Sequence, residues 1–385
     1  MESRVERIRE FIRRDKGDKV IWIIAILLCI LSVFAVYSTG AKLGKPLHRE
    51  SLWFLFQQHT MFLLAGIGIM YVFSQLNFRL LGKFSRVFLI IAVVLFILTI
   101  ALGVSVAGAK RSINVLGFEF QTIHAIEVLF VIFIARWIAW AGDSINDWKR
   151  VYLPMLLTIG AICAAIFTQK TSAGVILGVA CMVMLFSSQL RGRQIMLTIL
   201  GGGALIALVF LTPIGDKVSS IGRGETATSR MERWKNKEAH RETILTEAAI
   251  ATGSFKPGQS IHKESVGQSY SDYIYAFIVE EYGLVVGAFV VLLYLTLFHR
   301  IYKITQYIQS SFGTYLAAGL GVLIVFQALT HISVCAGLFP TTGETLPFVS
   351  RGGTSILITS FCFAVLLNLS IEAKKDKKKL SEPRF

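Results

Sequence analysis

The sequence predicts an all-α integral membrane protein with about ten transmembrane helices and one large extracytoplasmic loop between helices 7 and 8. Three observations predict it. The 385 residues are 54% hydrophobic and only 16% charged, whereas soluble domains carry about 25% charged residues. Apolar residues gather in ten long continuous runs instead of alternating with polar ones, which suits spanning helices and not barrel strands. Lys and Arg lie mostly between those runs. This composition excludes an ordinary cytosolic enzyme, a secreted disulfide scaffold and a disordered chain. The net charge of +15 does not indicate nucleic acid, because the basic residues are spread over many short loops and form no basic domain. Cys29, Cys163, Cys181, Cys335 and Cys362 all fall inside apolar runs without a CxxC pair, and they read as small packing residues.

Residues 1–19 form a basic cytoplasmic leader, residues 20–370 one membrane domain and residues 371–385 a basic cytoplasmic tail. The apolar segments are Val20–Tyr37, Leu52–Phe73, Val87–Val106, Ile123–Ala141, Val151–Phe167, Ala173–Ser188, Ile195–Pro213, Asp272–Phe298, Tyr315–Leu338 and Thr354–Leu369. Each is long enough as helix to cross about 30 Å of hydrocarbon, the sixth only marginally. The first follows a charged leader and lacks a small-x-small cleavage site, so it reads as a signal anchor. With the N-terminus inside, cytoplasmic segments hold 23 of the 39 Lys and Arg and the short outside loops seven. That bias puts both termini in the cytoplasm, and an even number of spans agrees. Lys374, Lys375, Lys377, Lys378 and Lys379 then form a stop signal at the cytoplasmic face, suited to contact with anionic lipid. No internal repeat of the kind common in secondary transporters is visible.

The chemistry gathers on the outside. Residues 214–271 form a loop far longer than any other. Within it, Ser229 and Glu232 have capping-box spacing. Met231, Trp234, Ile244, Leu245 and Ala248 recur near helical spacing among Arg230, Arg233, Lys237 and Arg241, which predicts an amphipathic surface helix. The stretch Gly253–Ser260 reads as a turn-rich connector. Asp272 stands where the loop becomes membrane helix, and its simplest reading is a helix cap. Glu280 and Glu281 lie about 12–14 Å further along that helix, where buried acids are costly and need a cavity or a partner. Residues 339–353 hold Pro340, Gly343, Pro347, Gly352 and Gly353 in one short stretch and read as a re-entrant loop, whose free N–H groups with Arg351 suit an anion.

These last two segments resemble the SEDS family (shape, elongation, division and sporulation). Asp272-Tyr273-Ile274-Tyr275-Ala276 with Glu280-Glu281-Tyr282-Gly283 is similar to its Asp-Phe-Ile-Phe-Ala…Glu-Glu-x-Gly motif. Gly337–Ser355 is similar to its Gly-Leu-x-Pro-x-Thr-Gly-x-x-Leu-Pro-Phe-x-Ser-x-Gly-Gly-Ser-Ser motif. The resemblance runs over essentially the whole chain and is nearer the division branch than the elongation branch. It implies a peptidoglycan glycosyltransferase of the bacterial inner membrane. Such an enzyme polymerises lipid II into undecaprenyl-linked glycan at the division septum. It works with a class B penicillin-binding transpeptidase and other divisome membrane proteins. It makes Asp272 the essential aspartate. Arg111, Ser260 and Lys263 match the family's motif Arg and loop Ser and Lys, and Gln121 opens a further motif. The chain departs from the pattern at Ser112, where the family has Trp. His124 and Glu127 replace Glu and Lys, Lys170-Thr171 replaces Pro-Asp, and Arg351 precedes the paired glycines.

Joining a sugar hydroxyl to an anomeric carbon that bears a lipid diphosphate needs one base and positive charge at the leaving group. Asp272 supplies the base. Arg111, Lys263 and Arg351, with Ser260, Thr342 and Ser350 around the sugar and diphosphate, supply the rest. A divalent cation, Mg or Mn, is compatible with this chemistry, and no organic cofactor is needed. A single carboxylate predicts direct inverting displacement. Two other classes fit the same residues: a flippase for the same lipid, using Glu280, Glu281, Glu127 and His124 along a polar path, and an inactive scaffold of the division machinery.

Overall fold

The computed structural model describes residues 16–42, 52–106, 109–115, 118–211, 241–255, 257–258 and 271–381. Ser260 and Lys263 lie outside the described residues, as do Arg230, Met231, Arg233, Trp234 and Lys237. The chain runs through α1 (Lys19–Lys42), α2 (Leu52–Phe73), the short α3 (Arg79–Lys83) and α4 (Ser85–Leu102). Strands β1 (Val104–Val106), β2 (Ala109–Val115) and β3 (Phe118–Phe120) lead to α5 (Thr122–Ala141). Next come α6 (Leu153–Gln169), α7 (Thr171–Phe186), α8 (Gly192–Leu211), α9 (Arg241–Phe255), α10 (Ile274–Tyr282), α11 (Leu284–Tyr307), α12 (Ser311–Cys335) and α13 (Gly353–Ser381).

Eight of these segments are long and apolar enough to cross a membrane, and α7 is a shorter apolar helix. Helix α8 coincides with the seventh expected segment. The burial of the spans sorts them into two groups. Within their apolar windows, 67% of α5, 67% of α12 and 72% of α13 is buried, against 22% of α2 and 17% of α4. The first three form the centre, and the others turn apolar faces outward. Lipid is as apolar as leucine, so close packing holds such a bundle together. Gly319 of α12 shows the fit, because a Cβ there would stand 2.6 Å from the Met184 sulfur and 2.8 Å from Val131.

The last helix also ties together one end of the bundle. Asp18 N–H donates to Ser370 Oγ at 2.8 Å, Lys374 Nζ to the Gly17 carbonyl at 2.7 Å, and Gln309 N–H to Asp376 Oδ2 at 3.0 Å. Arg79 pairs with Glu372 at 2.8 Å. The start of α1, the α2–α3 turn and the α11–α12 turn therefore share one membrane face with the end of α13. The basic tail expected as a separate segment continues α13 as helix to Ser381.

Three expectations are corrected. The third span ends at Leu102, and Val104–Val106, which the expected span included, opens a three-stranded antiparallel sheet with order β1-β2-β3. Its register pairs Val104 with Ser112 and Ile113 with Phe120. The alternation of Val104, Val106, Ile113, Val115, Phe118 and Phe120 is the period-two signal for it. The expected continuous eighth span from Asp272 is broken at Gly283, whose φ of 88° is open to glycine and strained for other residues. Glu280 and Glu281 thus belong to the short α10, ahead of the span that begins at Leu284. Finally, Gly253, Ser254 and Phe255 are the last turn of α9 and not a connector.

The described part of the expected surface helix packs on the bundle. A Cβ on Gly253 would lie 2.3 Å from the Val279 carbonyl and 2.4 Å from Glu280 Cα, so the backbones of α9 and α10 touch. Gly253→Ala should force these helices apart and lower the thermal unfolding midpoint of the purified protein by several degrees. Gly201→Ala, where nothing lies within 4 Å, should instead be neutral or stabilising by about 0.5–1 kcal/mol. Equal effects of the two substitutions would contradict this packing.

Candidate functional site

Asp272 is half-buried in the turn before α10. The N-cap position belongs to Tyr273, without a side-chain cap, so the simple capping reading of Asp272 does not describe it. Its Oδ1 accepts from Ser271 Oγ at 2.8 Å. The Ser271 carbonyl in turn accepts from Ser350 Oγ at 2.7 Å, and Ser350 Oγ accepts from Leu346 N–H at 2.8 Å. The loop before α13 therefore grips the turn that carries Asp272.

That loop is buried from Glu344 to Ser350, and five of its carbonyls have identified donors. His331 Nδ1 donates to the Glu344 carbonyl at 2.7 Å and Gln327 Nε2 to that of Thr345 at 3.1 Å. The Leu346 carbonyl takes the Val349 and Ser350 N–H groups. Tyr294 OH donates to Pro347 O at 2.5 Å, and Ser32 Oγ to Val349 O at 2.8 Å. Ser32 thereby uses its one hydrogen, so His59 Nε2, 2.7 Å away, is the donor to it. Phe348 holds a φ of 64°, a costly conformation for a non-glycine residue. Its fully buried ring sits edge-on to Phe363 at 4.7 Å between centroids, which holds it there.

Other expected site residues group around the same loop. Arg351 is half-buried and its guanidinium lies 3.4 Å from Gln58 Oε1. Gln121, at the β3–α5 junction, donates its N–H to Thr354 Oγ1 at 3.0 Å. A Cβ on Gly352 would come 3.9 Å from Gln121 Nε2. Gly353 packs on the Phe62 ring and Gly343 has a φ of 64°. Pro340 is half-buried and Pro347 buried. The Thr342 hydroxyl oxygen is buried with no hydrogen-bond partner among the described residues, a state usually relieved by water or ligand. Arg111 sits on β2, with its side chain outside what is described. On α10, Glu280 is buried and its carbonyl accepts from Gly258 N–H at 3.0 Å. Glu281 turns the other way, 3.5 Å from Ser38 Oγ on α1.

Two expectations change. The N–H groups of Leu346, Val349 and Ser350 are taken within the loop and are not open to an anion. The Ser350 hydroxyl, expected on substrate, bonds the Ser271 carbonyl and the Leu346 N–H. Among the described residues no three His, Cys, Asp or Glu side chains gather as metal ligands.

Sequence reasoning missed a buried ionic group behind this loop. Glu344 receives Lys170 Nζ at 2.8 Å and Ser172 Oγ at 2.6 Å. Next to it His124 Nδ1 lies 3.1 Å from Glu127 Oε2 on α5. Three of the departures from the family pattern, His124, Glu127 and Lys170, thus lie together with Glu344. His331 completes the group. Its Nδ1 faces a carbonyl, and its Nε2 faces Tyr275 N–H at 3.5 Å, so the proton sits on Nδ1 and Nε2 is the acceptor. The Glu344 side is thereby joined to the first turn of α10, three residues past Asp272.

Lys170→Met should leave the Glu344 carboxylate buried and unpaired, at a cost of about 3–5 kcal/mol. Lys170→Met with Glu344→Gln should recover most of that loss. Thermal unfolding of the purified variants reads both, and a double variant no better than the single one would argue against direct pairing.

Comparison with known proteins follows this geometry. A family model described as "Cell cycle protein", covering FtsW, RodA and SpoVE, matches residues 18–375. The probable peptidoglycan glycosyltransferase FtsW of Geobacter sulfurreducens is 26% identical over 369 residues, 94% of this chain and 96% of that protein. Stage V sporulation protein E of Bacillus subtilis is 26% identical, covering 93% of this chain and 98% of its own. Among solved structures, one describing how a peptidoglycan synthase complex coordinates polymerization and crosslinking superposes with a TM-score of 0.76 at 18% identity, over 93% of this chain and 98% of that one. The rod shape determining protein RodA of Thermus thermophilus superposes with a TM-score of 0.64 at 18% identity, over 92% and 97%. The fold, the spacing of the two loop motifs and the match along nearly the whole chain agree: this multi-pass membrane protein belongs to the SEDS family of FtsW, RodA and SpoVE proteins.

Proposed function

We propose that the protein is a peptidoglycan glycosyltransferase that polymerises lipid II on the outer face of the cytoplasmic membrane. We place it in septal wall synthesis, beside a class B penicillin-binding transpeptidase and with both termini in the cytoplasm. Relatives that match over nearly their full length carry the glycosyltransferase name, and a structure of the same fold comes from a complex that polymerises and crosslinks. The 23-to-seven distribution of Lys and Arg supports the orientation. The observation that carries the reading is the placement of Asp272. It is half-buried, held from behind by Ser271 and Ser350, and carried on a short helix ahead of the span.

In this reading Asp272 accepts the proton of the attacking sugar hydroxyl as the new glycosidic bond forms. The leaving diphosphate gains charge, and Arg351 in the adjoining loop, with Arg111 and Lys263, stabilises it. Thr342, with its buried unpaired hydroxyl, hydrogen-bonds the sugar. Of the four residues that would suit a transporter path, His124 and Glu127 are engaged with one another instead.

Asp272→Asn keeps size and hydrogen bonding but removes basicity. Polymerisation by the purified protein with its transpeptidase partner should fall by on the order of 10²–10⁴-fold, while Glu281→Gln, facing Ser38, should cost far less. Wild-type polymer from Asp272→Asn would remove Asp272 as the base, and no polymer from the unsubstituted protein would move the assignment to a flippase or scaffold. Ser350→Ala should lower kcat by about 10–100-fold through misplacement of the Asp272 turn, with KM for lipid II nearly unchanged. A raised KM at constant kcat would return Ser350 to the substrate.

A further inference from the structure

At the membrane face where α1 begins and α13 ends, far from Asp272, lies a cavity of about 420 Å³, within the range of small-molecule sites. Gln75, Asn77 and Arg79 line it from the α2–α3 turn, and Asn368, Glu372 and Lys375 from α13. Its back wall is fixed. Asn368 Nδ2 donates to the Ser74 carbonyl at 2.7 Å, and Asn368 Oδ1 accepts from Phe78 N–H at 3.2 Å. Its mouth is charged. Arg79 meets Glu372 at 2.8 Å and Lys375 stands 3.9 Å from the same carboxylate, so two cations share one anion and a single positive charge remains. Both amide atoms of Gln75, Nε2 and Oε1, are buried without a hydrogen-bond partner among the described residues. A buried amide left unmatched on both atoms is costly, and this one lines a cavity.

A second, apolar cavity adjoins the first and shares Asn77, Phe78 and Asn368 with it. It is lined by Leu76, Leu80, Leu81, Phe361 and Val365. Leu76 and Leu80 are each 49% exposed, so this cavity opens sideways to the hydrocarbon. Polar donors with one net positive charge above an apolar groove match one kind of molecule, a lipid whose head group carries one negative charge.

We propose that this cavity binds the phosphodiester head group of an anionic glycerophospholipid from the adjoining leaflet, with an acyl chain lying across the apolar groove beneath. Arg79 has donors enough to keep Glu372 and meet a phosphate oxygen. Lys375 supplies a second cation, and rotation of the Gln75 side chain into the cavity it borders would bring its unmatched amide to the head group. A bound lipid would then bridge the α2–α3 turn and α13. The site is independent of the glycosyl-transfer reading.

The test is native mass spectrometry of the full-length purified protein with phosphatidylglycerol, phosphatidylcholine or inorganic phosphate. A photoactivatable phosphatidylglycerol maps the contact. Phosphatidylglycerol should be retained at least tenfold better than phosphatidylcholine. The label should fall on peptides covering residues 73–81 and 361–375. Gln75→Glu, which places a carboxylate against the phosphodiester, and Arg79→Gln should each lower retention about tenfold. Arg79→Lys should keep most of it, and Lys149→Gln, an exposed cation on another loop, all of it. Unchanged thermal unfolding of Gln75→Glu separates lost binding from lost folding. Equal retention of the two lipids, labelling elsewhere, or displacement by millimolar inorganic phosphate would overturn the assignment, the last by showing a free-anion site.

Discussion

The structure depends on satisfying the backbone of an irregular loop buried inside a membrane bundle. Water is not available there to meet stray carbonyls, and each one left open would cost several kcal/mol. The stretch from Glu344 to Val349 answers this with donors from three helices: His331 and Gln327 of α12, Tyr294 of α11 and Ser32 of α1, with a tight turn at Leu346 for the rest. These polar side chains have no other evident reason to sit in spanning helices. Because the donors come from separate helices, the loop can exist only in the assembled bundle, and it locks their relative positions.

The site inherits its rigidity from that loop. Ser350 reaches the carbonyl of Ser271, whose own hydroxyl holds Asp272. From the other side, His331 joins the Glu344 carbonyl to the first turn of α10. A carboxylate intended as a base must be held within hydrogen-bond reach of one proton. Asp272 lies in a turn, where side chains are normally mobile, and two independent contacts on either side of it compensate. The break at Gly283 also serves this arrangement. It separates the short α10 from the span α11, so α10 and the turn that holds Asp272 take their direction from the loop and not from the helix behind them.

Burying Lys170 with Glu344 is expensive in desolvation, and such pairs often stabilise less than an apolar substitute would. Their value here is positional. The pair fixes the α6–α7 junction to the loop, with Ser172 satisfying the second carboxylate oxygen. The His124–Glu127 contact on α5 adds a further polar pair nearby.

The sequence by itself determined the membrane class, most of the spans and the two segments that form the site. Long apolar runs and charge bias are one-dimensional quantities set by the thickness and solvation of the bilayer, so they survive without a fold. The Pro- and Gly-rich run after α12 was recognisable as irregular backbone for the same reason. The sheet at Val104–Phe120 was only half legible, because its first strand extends an apolar run and its strands are short. The partners of Glu344 and of Ser350 and the helix break before Leu284 were decided by tertiary structure alone. Lys170 and Glu344 are 174 residues apart, and Ser350 and Ser271 are 79 apart. Which groups meet at such separations follows from how the helices pack, and a local sequence pattern carries no record of it.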